Sequence, residues 1–112
     1  MRPESKKFLY DIQTACRALQ EFLKDKTLDD YCASDFLRSA VERKLMIIGE
    51  AISQAFQKDP LLEEHIPQTR KIIDFRNILV HGYYAIQNET VWGVLQKDVP
   101  ILLRQVEALL SQ

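Results

Sequence analysis

The polar residues best placed for chemistry share one face of a predicted helix. Arg70, Asp74, Asn77 and His81 follow one another at spacings of four, three and four residues, which defines a single helical strip. Arg76 lies outside this strip, about 140° around an ideal helix from His81 and within an arc of apolar side chains. A histidine with a pKa near neutrality can act as a general acid or base, and an arginine can bind an anion such as a phosphate.

Ordinary structural roles explain the same residues. Arg76 would then extend its charged end to solvent or pair with a carboxylate of the preceding helix, for which Glu42 and Glu50 are the candidates. His81 would cap the helix C-terminus, where the helix dipole favours its protonated form. The tyrosine pair at 83–84 could stack on bases or pack against the protein, and packing is the commoner role.

Composition bounds the protein that such a site can belong to. The chain has 112 residues, of which 46% are hydrophobic and 28% charged, so it can bury a core, and we expect one domain over residues 1–112. The formal net charge of −1 argues against a protein that coats nucleic acid through bulk charge. Any contact with nucleic acid therefore requires a local site.

Apolar runs and cysteines exclude further classes. The longest apolar run, 45–48, is too short to span a membrane, and the first residues lack the features of a signal sequence, so we expect a cytoplasmic protein. Cys16 and Cys32 are too few for a disulfide framework and have neither the spacing nor the neighbouring histidines of a zinc site. We expect reduced, packed thiols, with no metal and no cofactor.

Apolar residues recur at helical spacing through almost the whole chain, which contains only three glycines and four prolines. The pattern predicts an all-α fold, an antiparallel up-and-down bundle of four main helices joined by short helical connections. The predicted helices span residues 4–25, 35–57, 67–82 and 88–110, with a connection at 61–66. The boundary signals are a capping box formed by Thr27 and Asp30, candidate N-caps Ser34 and Asn88, Pro67 at a helix start, and Gly82 at its end.

Three features inside the helices carry further expectations. Gly49 lies in the middle of the second helix, which indicates that a side chain or backbone approaches closely there. Pro100 predicts a kink in the last helix, since it removes the hydrogen bond back to residue 96. The second helix is apolar all round and the last helix carries many apolar positions, which favours an isologous dimer interface on these helices.

The segment from Arg76 to Tyr83 resembles the Arg-x-x-x-x-His-x-Tyr signature of HEPN-domain toxins, specifically the HepT-like family that is paired with minimal nucleotidyltransferase antitoxins. The resemblance extends over nearly the whole chain in order and spacing. It includes the stretches 11–12, 47–51, 75–81 and 91–92, and Pro67 before Ile72.

This resemblance implies a HEPN-like fold and a metal-independent endoribonuclease in which Arg76 and His81 act at the scissile phosphate of RNA. It also implies a homodimer that brings two such motifs into one cleft. Asn77, one helical turn before His81, is placed to orient the imidazole or bind phosphate. The protein would be the toxin of a type VII-like toxin–antitoxin pair. Its partner nucleotidyltransferase would neutralise it by transferring AMP to Tyr83, although the adjacent Tyr84 stays open as the acceptor.

Two other functions remain open at this stage. One is a non-catalytic helical module that binds a nucleotide, RNA or a nucleotidyltransferase partner, which the near-neutral charge mildly favours. The other is a purely structural dimerisation bundle. That interpretation explains the apolar seam of the last helix but gives no reason for a charged Arg76 in an apolar arc.

Overall fold

The computed structural model describes residues 2–66, 69–82 and 87–112, and these form an all-α fold without a strand among them. The helices, in chain order, are α1 (Pro3–Leu23), α2 (Leu28–Ala33), α3 (Asp35–Lys58), α4 (Thr69–His81), α5 (Asn88–Gly93) and α6 (Val99–Leu110). A 3₁₀ turn, Pro60–Glu64, joins α3 to the segment before α4, and a π-helical turn, Val94–Asp98, joins α5 to α6.

The helix starts follow the predicted capping chemistry. The hydroxyl of Thr27 accepts from the Asp30 N–H at 3.1 Å while the Asp30 carboxylate accepts from the Thr27 N–H at 2.9 Å, so the capping box is confirmed. Ser34 caps α3 by accepting from the Leu37 N–H at 3.0 Å. The Asn88 cap is wrong by one residue, because Asn88 is the first helical residue and Gln87 precedes it without a side-chain cap.

The last predicted helix is helical without a break from Asn88 to Leu110, but its hydrogen-bond pattern changes within it. Pro100 cannot donate to the carbonyl of residue 96, and the turn before it widens, so that the Val99 N–H bonds to the Val94 carbonyl five residues earlier. The predicted disturbance at Pro100 is therefore a π-helical turn.

Side-chain contacts give the direction of packing. Phe8 shares a cleft with Gln54, and Phe22 shares a second one with Leu37, so α1 and α3 run antiparallel. Arg17 in the second half of α1 reaches Glu107 near the end of α6, with 2.5 Å between Nη2 and Oε2. Leu23, the last residue of α1, lies beside the π-helical turn that precedes α6, so α1 and α6 are antiparallel as well. The antiparallel bundle predicted from the sequence is confirmed.

Helix α3 contacts α1, α2 and α4, which accounts for its apolar residues on several sides. The last helix differs from expectation, because its seam residues Val99, Leu102, Val106 and Leu109 are buried in the protomer's own core. They therefore leave no surplus for an interface. None of the described helices is both long and apolar enough to cross a membrane.

Candidate active site on helix α4

Arg76 leaves α4 on the side that faces α3. The flanking residues Ile72, Phe75 and Leu79 are buried and fix this orientation. Its side chain crosses α3 at Gly49, where a Cβ atom would lie 2.4 Å from the Arg76 Cβ and 2.6 Å from its Cγ. The close approach predicted at Gly49 is thus a contact with the arginine of the motif.

The Arg76 guanidinium is half-buried, with 28% of its side chain exposed, and among the described residues it has two partners. Its Nη2 donates to the Glu50 carboxylate at 2.8 Å, and its Nη1 donates to the Asn77 side-chain oxygen at 3.0 Å. The Nε atom is buried and, within the part of the chain that the structure describes, has no hydrogen-bond partner. Of the two carboxylates suggested by the sequence, Glu50 is the partner of Arg76.

Glu42 lies earlier on α3 in a different environment. Burial raises the pKa of its carboxyl group above the usual range, and the nearby Asp35 adds to this while Arg38 opposes it. Glu42 is therefore a carboxylate partly removed from water, without the contact to Arg76 that Glu50 makes.

The polar strip of α4 is exposed, as the periodicity predicts, with Arg70, Asp74, Asn77 and His81 all on the surface. His81 is the last residue of α4. Because it lies five residues after Arg76, the two side chains start about 7.5 Å apart along the axis and about 140° around it. Within the described residues, no hydrogen bond joins His81 to Arg76 or to Asn77, and the Asn77 side chain accepts from Arg76 instead.

A cleft of about 300 Å³ opens beside Arg76 between α1, α3 and α4. Its walls combine apolar groups with charged and amide groups: Phe8, Met46, Ile47 and Ala51, together with Asp11, Arg43, Glu50, Gln54 and Arg76. Arg43 and Gln54 were not predicted as site residues from the sequence. Arg43 lies four residues before Ile47, and Gln54 lies four residues after Glu50, so both are on the face of α3 that carries Glu50. This helical spacing could have identified them.

Three further predictions have different outcomes. The prediction for the tyrosines at 83–84 lies outside the described residues, as does that for Pro67. Cys16 is free and buried and Cys32 is free and half-buried, as expected for packed thiols. The described part of the chain contains no group of three or more His, Cys, Asp or Glu side chains that could hold a metal ion.

An ion pair that the sequence did not predict joins α4 to the π-helical turn before α6. Lys71 Nζ lies 3.0 Å from the carboxylate of Asp98, which is 2% exposed. Asp98 belongs to the π-helical turn, so its inward direction depends on an irregularity that the apolar pattern does not specify. This contact helps to fix α4 relative to the bundle.

Comparison with known proteins gives relatives along the full chain. "Putative RNase MJ1380" of Methanocaldococcus jannaschii is 36% identical over 91% of this chain and 93% of its own length. "Probable ribonuclease HepT" of Thermococcus cleftensis is 29% identical over 97% of this chain and 98% of its own. A third relative, "Gamma-glutamylcyclotransferase and putative RNase MJ0434" of M. jannaschii, is 33% identical, and this chain spans half of its length.

No solved structure gives a significant match to the chain. The family model described as ribonuclease HepT-like matches residues 12–109. That range contains α4 with its motif, Gly49 and Glu50 on α3, and the π-helical turn. The resemblance seen in the sequence is confirmed, together with the ribonuclease class that the family carries: the chain belongs to the ribonuclease HepT-like family.

Proposed function

We propose that this protein is a metal-independent endoribonuclease whose Arg76 and His81 act on the scissile phosphate of RNA, in a single HEPN-like domain spanning residues 1–112. The observation that carries the proposal is how the two motif residues on α4 are exposed and held, in a chain of this family. His81 is exposed, and Arg76 is held half-buried by Glu50 and Asn77 beside an open cleft. Solvent-facing imidazole and oriented guanidinium are the groups that RNA cleavage needs.

The reaction follows from these two groups. His81 accepts the proton of a ribose 2′-hydroxyl, and the 2′-oxygen attacks the adjacent phosphorus as the bond from phosphorus to the 5′-oxygen breaks. A second imidazole donates a proton to the departing 5′-oxygen, leaving a 2′,3′-cyclic phosphate. Arg76 stabilises the charge that develops on the non-bridging phosphate oxygens.

A homodimer would supply the second imidazole, because the motif provides one histidine per protomer. Helix α4 supports this part of the proposal: Ile78 and Val80, on the motif's own helix, are 44% and 37% exposed. They lie about 160° apart around the helix, so pairing across a two-fold axis near α4 would cover part of this apolar surface and bring Arg76 of one protomer towards His81 of the other. Sedimentation at micromolar concentration should give twice the 13.1 kDa protomer mass, and a clean monomer would remove the shared cleft.

We further propose that the protein is the toxin of a cytoplasmic toxin–antitoxin pair, with a minimal nucleotidyltransferase as its partner. Transfer of AMP to Tyr83 would place phosphate charge two residues from His81 and repel RNA. A Tyr83→Phe variant should then stay toxic in the presence of the nucleotidyltransferase, whereas Tyr84→Phe should still be neutralised. The opposite pattern would make Tyr84 the acceptor.

Induced expression in a bacterial host tests the central claim. The wild type should arrest growth and generate new RNA fragments, and Arg76→Ala and His81→Ala should do neither. Matched controls are Arg70→Ala, an exposed arginine on α4 outside the motif, and His65→Ala, the other histidine of the chain. Both controls should behave as wild type. Intact RNA with a folded, dimeric wild type would favour the alternative, a non-catalytic module that binds a nucleotide, RNA or a nucleotidyltransferase.

A further inference from the structure

The hydrogen bonds of the Arg76 guanidinium leave few donors for a ligand. A guanidinium carries five N–H groups, two on each terminal nitrogen and one on Nε. Glu50 takes one from Nη2 and Asn77 takes one from Nη1. The Nε atom is buried, so its N–H is closed to a ligand arriving from solvent. One N–H on each terminal nitrogen has no partner among residues 2–66, 69–82 and 87–112, so two N–H groups can bind an anion.

The aliphatic part of the Arg76 side chain is held in place as well as its guanidinium. The Cβ and Cγ atoms of Arg76 lie against the backbone of α3 at Gly49, where no side chain intervenes. The next residue along α3 is Glu50, whose carboxylate accepts a hydrogen bond from Arg76 Nη2. Two consecutive residues of α3 therefore fix both ends of the arginine, which lies 26 residues further along the chain.

We propose that Glu50 is a positioning residue for Arg76, fixing the guanidinium so that its two remaining terminal N–H groups face a phosphate oxygen of the bound RNA. This inference rests on the proposed ribonuclease function. Arginine recognises phosphate through paired N–H groups in a fixed geometry, so holding that fork in place before RNA arrives matters more than adding charge. Small displacements at a reacting phosphate cost up to about 100-fold in rate.

The exposure of the pair supports orientation over stability as its role. The Glu50 side chain is 51% exposed and that of Arg76 is 28% exposed, and ion pairs so accessible to water add little to folding free energy. Glu50 also accepts only one of the terminal N–H groups, so phosphate can bind without displacing it. A carboxylate that merely competed with RNA for Arg76 would instead inhibit the enzyme, and its removal would increase activity.

Three substitutions at Glu50 separate these roles in single-turnover cleavage of an RNA oligonucleotide. Glu50→Ala removes the acceptor and should lower the rate by about 10- to 100-fold. Glu50→Asp shortens the side chain by one methylene, and its rate should fall nearly as far. Glu50→Gln keeps an oxygen at the same reach and should stay within about fivefold of wild type. Such rescue by glutamine identifies the hydrogen bond, rather than the negative charge, as the feature that matters.

Two controls connect the effect to Arg76. Glu63→Ala removes another carboxylate that faces an α4 arginine, since Glu63 Oε1 lies 3.9 Å from Arg70 Nη2, and it should cleave like wild type. In an Arg76→Ala background, Glu50→Ala should cause no further loss, because the residue through which it acts is gone. A full additional loss in that background would overturn the positioning role.

A readout independent of activity is the ¹⁵N NMR signal of the Arg76 terminal nitrogens. Restricted rotation of a clamped guanidinium should keep them separate in the wild type and in Glu50→Gln, and Glu50→Ala should average them. Identical Arg76 signals in wild type and Glu50→Ala would overturn the proposal. Undiminished or increased cleavage by Glu50→Ala, with Arg76→Ala inactive, would also overturn it, whereas full activity of Arg76→Ala would refute the proposed function itself.

Discussion

Replacing Gly49 with alanine tests the contact on which the candidate site depends. The added Cβ would lie 2.4 Å from the Arg76 Cβ, and ordinary van der Waals contact begins at 3.4 Å, so α3 and the arginine stem must separate by about 1 Å. Overpacking of this kind costs about 1–3 kcal/mol. Removing a mid-helix glycine returns about 1 kcal/mol of helix propensity. We therefore expect Gly49→Ala to be neutral to about 2 kcal/mol less stable than wild type.

Gly93 provides the matched control. It is exposed, its φ of −59° and ψ of −43° are helical, and a Cβ there meets no atom of the described residues within 4 Å. Gly93→Ala should therefore stabilise the protein by up to about 1 kcal/mol. Urea unfolding followed by circular dichroism and by the fluorescence of Trp92, at one fixed protomer concentration, measures both variants. Equal stabilisation by the two substitutions would refute the close contact at Gly49. Gly49→Ala should also lose cleavage activity, which Gly93→Ala should keep.

Three further predictions concern groups outside the motif. Lys71→Ala leaves the buried Asp98 carboxylate without this partner and should lower the free energy of unfolding in urea by about 1–3 kcal/mol. In an Asp98→Asn background the same substitution should cost less, and an unchanged cost there would contradict the pairing. Burial, with a smaller contribution from the negative charge of Glu107, raises the pKa of Cys16 to about 12. Iodoacetamide at pH 8 should therefore label Cys32 alone in the native protein and both thiols in urea, as counted by mass spectrometry. The raised pKa of Glu42 means that its ionised form opposes folding, so Glu42→Gln should increase stability at pH 7 and lose that advantage below about pH 4; a gain that persists at low pH would rule out ionisation as its cause.

Helix positions were predictable because they depend on local chemistry. The capping box at Thr27 and the Ser34 cap fix two starts, and the Asp59–Pro60 pair stops α3 at Lys58, one residue beyond the predicted end. Helix α1 ends at Leu23, two residues earlier than predicted. There Asp25 adopts a left-handed conformation with φ of 61°, a choice that the apolar pattern does not encode.

Contacts between helices were predictable only in part. Gly49 signalled that something approaches α3, and Arg76 signalled a need for a partner, but choosing Glu50 over Glu42 requires the register between α3 and α4. That register depends on how Ile72, Phe75 and Leu79 fill the groove of α3 together with the neighbouring core, and a single helical wheel does not contain it. The apolar residues of the last helix indicated an interface that the register does not support, since the seam of that helix is buried by contacts within the protomer.

The environment of the motif arginine is determined largely by residues outside the motif. Within α4, Arg76 points away from the strip that carries His81, and it would be an isolated charge against apolar neighbours. Gly49 gives its stem room and Glu50 gives its head a partner, so two adjacent residues on α3 turn that unfavourable position into an oriented anion-binding group. Substitutions at either position should therefore impair cleavage while the motif itself stays intact, and only at Gly49 should that loss be accompanied by a change in the packing of α3 against α4.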